Sequence, residues 1–101
     1  MRLIYHAKAF ADIRDAVEFY EADSPSAAEN LKTEIKRSLR LIETNPERFA
    51  IVEGDVRRCR VQRFPFDLYF TLFSDHAKLH ALIHHSRHPD HWKHRLDDID
   101  D

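Results

Sequence analysis

The spacing of apolar residues changes once along this chain, at Asn45-Pro46. Before that point apolar residues recur every three or four positions, which is typical of amphipathic helices. These residues are Phe10, Ile13, Val17 and Tyr20, followed by Leu31, Ile35, Leu39 and Ile42. After Asn45-Pro46 apolar and polar residues alternate, which is typical of strands. The sequence therefore predicts a helical part followed by a sheet.

Ser24-Pro25 divides the helical part in two. The serine oxygen can accept hydrogen bonds from the first turn of a helix, and proline is preformed for the first helical position. Asn45-Pro46 ends the second helix. Because about three residues join the helices, we expect an antiparallel helical hairpin. Residues 2–7 are a β-prone run and predict a first strand before it.

Three further strands are predicted after Pro46. Residues 56–64 alternate, with Cys59 and Val61 on one face and Arg58, Arg60 and Gln62 on the other. Residues 66–73 are rich in aromatics, and residues 79–83 alternate again. The order β-α-α-β-β-β predicts an α+β fold in which the helical hairpin packs on a small antiparallel sheet. We expect one domain over residues 1–96 and a disordered acidic tail over 97–101.

Composition excludes several function classes. Gly54 is the single glycine of 101 residues, whereas phosphate-binding loops need several glycines. Cys59 is the single cysteine, so an internal disulfide and a four-cysteine zinc site are both excluded. No apolar run approaches the roughly 20 residues of a membrane span, and the first residues lack the apolar core of a signal peptide. We expect a cytoplasmic protein with no cofactor and no membrane partner.

The net charge of −2 conceals an asymmetry. Residues 1–55 carry −3, residues 56–96 carry +5, and residues 97–101 carry −4. Seven of the eight histidines also lie within the basic segment. Charge of one sign gathered on part of a small chain predicts an anionic partner there, either nucleic acid or an acidic protein. A solvated strand face is the alternative.

Residues spread over most of the chain resemble one known family. They are Asp12-Ile13, Ala16, Phe19-Tyr20, Ser24-Pro25, Ala27-Ala28, Leu31, Asn45-Pro46, Arg57-Arg58, Arg63-Phe64-Pro65-Phe66, His84, Arg87, Pro89 and Trp92. In their order and spacing the chain resembles the RelE/ParE superfamily, the toxins of type II toxin–antitoxin modules, and is most similar to its ParE-like plasmid stabilisation branch. The fold of that superfamily has the same order of helices and strands.

The resemblance implies a growth inhibitor that a cognate antitoxin silences by covering the helical hairpin and the basic sheet face. ParE-like members poison DNA gyrase, whereas RelE-like members cleave messenger RNA on the ribosome. We expect the ParE-like activity, with the endonuclease and a non-toxic interaction module as alternatives. Whether the chain is an enzyme at all depends on this choice.

The endonuclease alternative implies three catalytic residues. Arg63 and Arg87 match arginine positions of the superfamily, and a guanidinium binds phosphate through a planar fork. His84 is the candidate acid or base. It can act with Arg87 only if the strand ends or bulges near Ser86, because residues three apart on a strand face opposite sides. Alternatively, the two arginines face solvent or pair with carboxylates.

The sequence departs from the nuclease pattern at its aromatic positions. Many members have tyrosine where this chain has Phe66, Phe70 and His91, and the last tyrosine here is Tyr69. RelE-like nucleases commonly use a tyrosine near the C-terminus. The missing tyrosine favours the binding inhibitor over the nuclease.

The candidate partner-binding residues are Arg57, Arg58, Arg60 and Trp92. The arginines suit an acidic antitoxin or a phosphate, although charged residues also protect an edge strand from aggregation. Trp92 is expected to fold back onto the core, and a platform for base stacking is the alternative. Cys59 is expected to pack as a small apolar residue under the helices.

The histidines near the C-terminus raise the question of a metal site. His84, His88, His91 and His94 are three or four positions apart, which can bring imidazoles together on a helix. Pro89 interrupts that run, and neither a cysteine nor a Glu-x-x-His motif completes the ligands. We expect no functional metal.

Overall fold

A computed structural model describes residues 1–87 and 89–96 of the chain. The elements follow the predicted order: β1 (Arg2–Tyr5), α1 (Ala7–Asp23), α2 (Pro25–Thr44), β2 (Ile51–Glu53), β3 (Val56–Arg60), β4 (Phe66–Leu72), β5 (His76–His84) and α3 (Lys93–Leu96). Short 3-10 helices lie at Pro46–Arg48 and Pro89–Trp92. The α+β fold is confirmed. The predicted tail, residues 97–101, lies outside the described residues.

The helical hairpin forms where the sequence predicts it. Ser24 ends α1 by donating its backbone N–H to the Tyr20 carbonyl at 2.7 Å, and it caps α2 because its hydroxyl accepts from the Ala27 N–H at 3.3 Å. Pro25 occupies the first position of α2, and Asn45 caps its C-terminus. One serine thus serves both helices, which keeps the connection short.

The N-terminus of α1 differs from the prediction. The first strand ends at Tyr5 rather than at residue 7, because the buried His6 caps α1 by accepting the Lys8 N–H at its Nδ1, 3.0 Å away. Phe10 is 59% exposed and stacks on Tyr5 instead of entering the core. Ala9 is buried in its place.

The sheet has the strand order β1-β5-β4-β3-β2. The pairs from β5 to β2 are antiparallel, whereas β1 runs parallel to β5, with Arg2 opposite His76. The sequence did not indicate that β1 pairs in parallel with β5, because all the other helices and strands except α3 lie between these two strands in the chain. The short β2 is an additional strand, joined to β3 by a turn in which Gly54 adopts a φ of 58°.

Apolar residues cover both faces of the sheet. The face under the hairpin contains the larger core, in which Leu31, Ile35 and Ile42 of α2 meet Leu68, Phe70 and Leu79 of the sheet. A smaller cluster lies on the opposite face and consists of Val56, Tyr69, Ala81, Ile83 and Trp92. We call this second face the open face. Trp92, the last residue of the 3-10 helix Pro89–Trp92, packs into this face. No described helix has the length and apolar character to cross a membrane.

Candidate functional site

His84 and Arg87 meet where β5 ends. The strand stops at His84, whose carbonyl accepts the Arg87 N–H at 2.9 Å and whose Nδ1 accepts the Ser86 N–H at 2.9 Å. The His84 ring also packs edge-on against Phe66, with centroids 5.1 Å apart. His84 and Arg87 can act together only if the strand ends or bulges near Ser86, and β5 does end at His84.

A cleft of about 650 Å³ opens between α1 and this strand end. Phe66 and Leu82 supply apolar lining, and Phe19, 76% exposed, stands on α1 beside them. The remaining lining residues are Asp12, Asp15, Ala16, Ile83, His84, Ser86, Arg87 and Arg95. The cleft combines an apolar lining with ionic groups, which suits part of a macromolecule better than a small apolar ligand.

Asp12 joins three elements at one end of this cleft. Its carboxylate accepts from Arg95 at 2.6 Å and 3.1 Å and from the Leu82 N–H at 3.1 Å. Arg95 also donates to the His80 carbonyl at 2.9 Å. Asp12 thus ties α1, β5 and α3 together. Before the structure, Asp12 had no role beyond its place in the family resemblance, because an aspartate in a helical pattern carries no signal of a partner 83 positions away.

Arg63 does not take part in the cleft. The strand predicted over 56–64 ends at Arg60, and Arg63 lies in the following turn with a φ of 72°. The predicted strand is therefore too long at its C-terminal end, and Arg63 does not belong to it. A left-handed conformation is uncommon for arginine, so the sequence carried no signal for it. His84 and Arg87 are brought together, and Arg63 is absent from the residues that line their cleft.

The three arginines of β3 divide between the two faces of the sheet. Arg57 lies on the helix side, where its guanidinium donates to the Phe49 carbonyl at 2.8 Å and the Glu47 carbonyl at 3.4 Å. Arg58 and Arg60 are exposed on the open face. Arg58 and Arg60 are therefore accessible to a partner protein on the open face. Arg57 instead binds the backbone of the segment before β2.

A buried carboxylate lies beside these arginines. Asp67 of β4 has a side chain only 8% exposed, with Arg60 Nε 3.5 Å from Oδ1 and His85 Nε2 3.2 Å from Oδ2. His85 follows β5, and its backbone N–H donates to the Pro65 carbonyl at 2.8 Å. His84 was the predicted site residue and its neighbour His85 was not, because one sequence does not reveal which of two adjacent histidines contacts a carboxylate on another strand.

Trp92 packs on the open face as predicted. It is buried and stacks on Tyr69 with centroids 5.8 Å apart. Burial and the charge of Asp67 raise the pKa of Tyr69, so its hydroxyl stays protonated at neutral pH. Lys93, next to Trp92, bonds Glu53 at 2.8 Å and Asp90 at 3.2 Å, which holds this segment against β2.

Cys59 lacks the character of a nucleophile, and the described histidines do not form a metal site. Cys59 is buried under the helices, and this burial raises its pKa to about 11, which keeps the thiol protonated. No three described histidines, cysteines or carboxylates are placed to share a metal ion. His88, one of the candidate ligands, lies outside the described residues, and so does the His91 side chain.

Comparison with known proteins identifies the family. The chain matches the family model of the ParE toxin of type II toxin-antitoxin system, parDE, over residues 3–89. It is also similar to a solved chain of the chromosomal ParDE TA system from P. aeruginosa, with a TM-score of 0.73 and 19% identity, over 83% of this chain and 95% of that one. At this identity the likeness shows the fold. No curated protein matches the sequence. Because the family model spans most of the described chain, this protein belongs to the ParE toxins of type II toxin–antitoxin systems.

Proposed function

We propose that this toxin arrests growth by binding DNA gyrase and that a cognate antitoxin silences it. The position of Arg63 is the observation that favours a binding inhibitor over a nuclease. A nuclease built on Arg63, His84 and Arg87 needs all three groups around one phosphodiester, to move protons and to stabilise its charge. Arg63 lies in a turn and does not line the cleft that the other two share.

The antitoxin is proposed to cover the open face and the adjoining cleft. Arg58 and Arg60 give this face exposed positive charge, and residues 56–96 carry +5 in total. An acidic partner segment is complementary to that charge, which speeds its association and fixes its orientation. Phe19 and the apolar lining of the cleft offer an anchor for an apolar side chain of the same partner.

A supercoiling assay tests the gyrase proposal. Relaxed plasmid is incubated with gyrase, ATP and the purified toxin, and we expect supercoiling to fall as toxin is added. Adding the antitoxin encoded beside the toxin gene restores supercoiling. The control replaces gyrase with a topoisomerase that relaxes supercoiled plasmid, whose activity stays unchanged. Full supercoiling at a large excess of a toxin that still arrests growth in cells would reject gyrase as the target.

A ribosome-dependent endonuclease remains the second candidate, because His84 and Arg87 line one cleft. Primer extension on transcripts after toxin induction distinguishes the two. The endonuclease predicts discrete cuts within codons that His84→Ala abolishes. Intact transcripts during growth arrest would reject it.

A further inference from the structure

Arg63 has a backbone conformation that arginine rarely adopts. Its φ of 72° is the one positive φ of a residue other than glycine in the described part of the chain. Arg63 is the third residue of a four-residue turn, in which the Phe64 N–H donates to the Val61 carbonyl at 3.5 Å. Glycine or asparagine is usual at such a position, because both tolerate the left-handed region. Arginine there costs stability, whereas the other left-handed turn position holds the single glycine, Gly54.

Hydrogen bonds on several sides hold this turn in place. The Val61 N–H donates to the Phe66 carbonyl at 3.0 Å, and the Phe66 N–H donates to the Phe64 carbonyl at 2.9 Å. The His85 N–H donates to the Pro65 carbonyl at 2.8 Å, which ties the turn to the end of β5. A strained residue persists only where its surroundings fix the backbone in this way, and such residues concentrate at functional sites.

The Arg63 side chain makes no polar contact that would offset this cost. It is exposed and forms no hydrogen bond or ion pair with another described residue. On the preceding strand, by contrast, Arg57 donates to the Phe49 carbonyl and Arg60 pairs with Asp67. A guanidinium keeps its charge at every physiological pH and can bind a carboxylate through two parallel hydrogen bonds. A strained turn that presents such a group to solvent indicates a partner outside this chain.

The surroundings of the turn favour a protein partner over a nucleic acid. Phe64 packs edge-on against Tyr20 with centroids 5.5 Å apart, so the turn adjoins the C-terminal end of α1. That end of the helix exposes three acidic residues, Glu18, Glu21 and Asp23. Their carboxylates repel a nucleic acid, which carries a negative charge on every phosphate. A protein surface can instead present a single carboxylate to the guanidinium.

We propose that Arg63 contacts the target of the toxin, and that its guanidinium forms a bidentate ion pair with a carboxylate on the surface of gyrase. This contact rests on the proposed function, because it requires that the toxin acts by binding a protein. Arg63 lies outside the cleft assigned to the antitoxin, but Phe66, three positions away, lines that cleft. An antitoxin bound in the cleft therefore lies beside the turn and blocks the target without contacting Arg63. Target binding and antitoxin binding are separable at this residue.

Variants that keep the turn but remove the guanidinium test this contact. Asparagine and glycine suit the left-handed position, so neither Arg63→Asn nor Arg63→Gly is expected to unfold at a lower urea concentration than the wild type. In the supercoiling assay, half-inhibition by either variant is expected to need about ten- to hundredfold more toxin, the equivalent of one charged hydrogen-bonded pair. Arg63→Lys keeps the charge without the planar fork and is expected to give an intermediate value.

Two controls separate target binding from a general defect. Arg40→Ala removes an exposed arginine of α2 and is expected to inhibit gyrase as the wild type does. In a binding assay on the immobilised cognate antitoxin, Arg63→Asn and the wild type are expected to have the same affinity. A loss of antitoxin affinity as large as the loss of gyrase inhibition would overturn the proposal, because Arg63 would then belong to the antitoxin surface.

Growth arrest in cells distinguishes failure of this contact from failure of the gyrase proposal. If the wild type and Arg63→Asn inhibit supercoiling equally, the contact is overturned and the gyrase proposal stands. If the wild type arrests growth without affecting supercoiling, gyrase is rejected, and the two proteins are compared by growth arrest at equal protein level. Weaker arrest by Arg63→Asn then supports a target contact at Arg63, whereas equal arrest overturns it.

Discussion

Asp12 accepts three hydrogen bonds from residues at least 70 positions away in the sequence. One carboxylate accepts from both terminal nitrogens of Arg95 and from the backbone of Leu82. The two side chains of this pair are about one-fifth exposed, so water replaces the lost contacts only in part. Removing the acceptor therefore leaves a partly buried guanidinium and a backbone N–H without their partner.

Asp12→Ala is expected to lower the free energy of unfolding by about 1–3 kcal/mol, the usual effect of leaving partly buried donors unsatisfied. Asp15→Ala is the matched control on the same helix. Asp15 is 69% exposed, its ion pair with Arg14 spans 3.5 Å, and its loss is expected to change stability by at most about 0.5 kcal/mol. Urea unfolding of the two variants measures the difference. Equal stabilities would show that the Asp12 contacts contribute nothing net.

At the scale of elements, the helical hairpin depends on Ser24. Its backbone N–H caps the C-terminus of α1 and its hydroxyl caps the N-terminus of α2. A single residue therefore joins the two helices. The position requires an extended backbone and a short side chain that carries an oxygen acceptor, which Ser, Thr, Asp and Asn provide.

Ser24→Ala is expected to cost about 1 kcal/mol, since the Ala27 N–H loses its acceptor. Ser26→Ala is the control, because its hydroxyl is exposed and contacts Ser24 Oγ at 3.2 Å without capping a helix. We expect Ser26→Ala to leave the thermal midpoint within the error of the measurement. A Ser24→Ala midpoint equal to that of the wild type would contradict the capping role.

The elements whose signals are local could be predicted from the sequence. Ser24-Pro25 and Asn45-Pro46 mark the helix ends through residues that act within one turn. The parallel pairing of β1 with β5 could not be predicted, because it depends on contacts between residues more than 70 positions apart. The same limit applies to the candidate site. His84 and Arg87 follow from a strand end visible in the sequence, whereas the contact between Asp67 and His85 joins two strands.

At the scale of the whole molecule, the sheet has an apolar cluster on each face, and Trp92 closes the smaller one. The larger core belongs to the helices, and the smaller one is covered by the segment after β5. Trp92 of that segment is buried in the smaller cluster and stacks on Tyr69. This placement gives Trp92 a packing role, whatever its part in binding a partner.

Trp92→Ala is expected to destabilise the protein by about 3–5 kcal/mol, as large-to-small changes of buried aromatics do. Trp92→Phe retains a ring that can stack on Tyr69 and is expected to cost about 1–2 kcal/mol. Chemical unfolding followed by circular dichroism measures both variants without relying on tryptophan fluorescence. If Trp92→Ala were as stable as Trp92→Phe, the ring would not be part of the core.

The contact between Asp12 and Arg95 also sets an order of events during synthesis. The two residues are 83 positions apart, and β1 finds its partner strand only after residues 76–79 have been made. The helical hairpin can form early from local contacts, whereas the first strand waits until β5 has been made. A nascent chain shorter than 76 residues therefore contains the hairpin but not the strand that pairs with β1. An antitoxin that recognises the open face finds that surface only on chains that extend beyond β5.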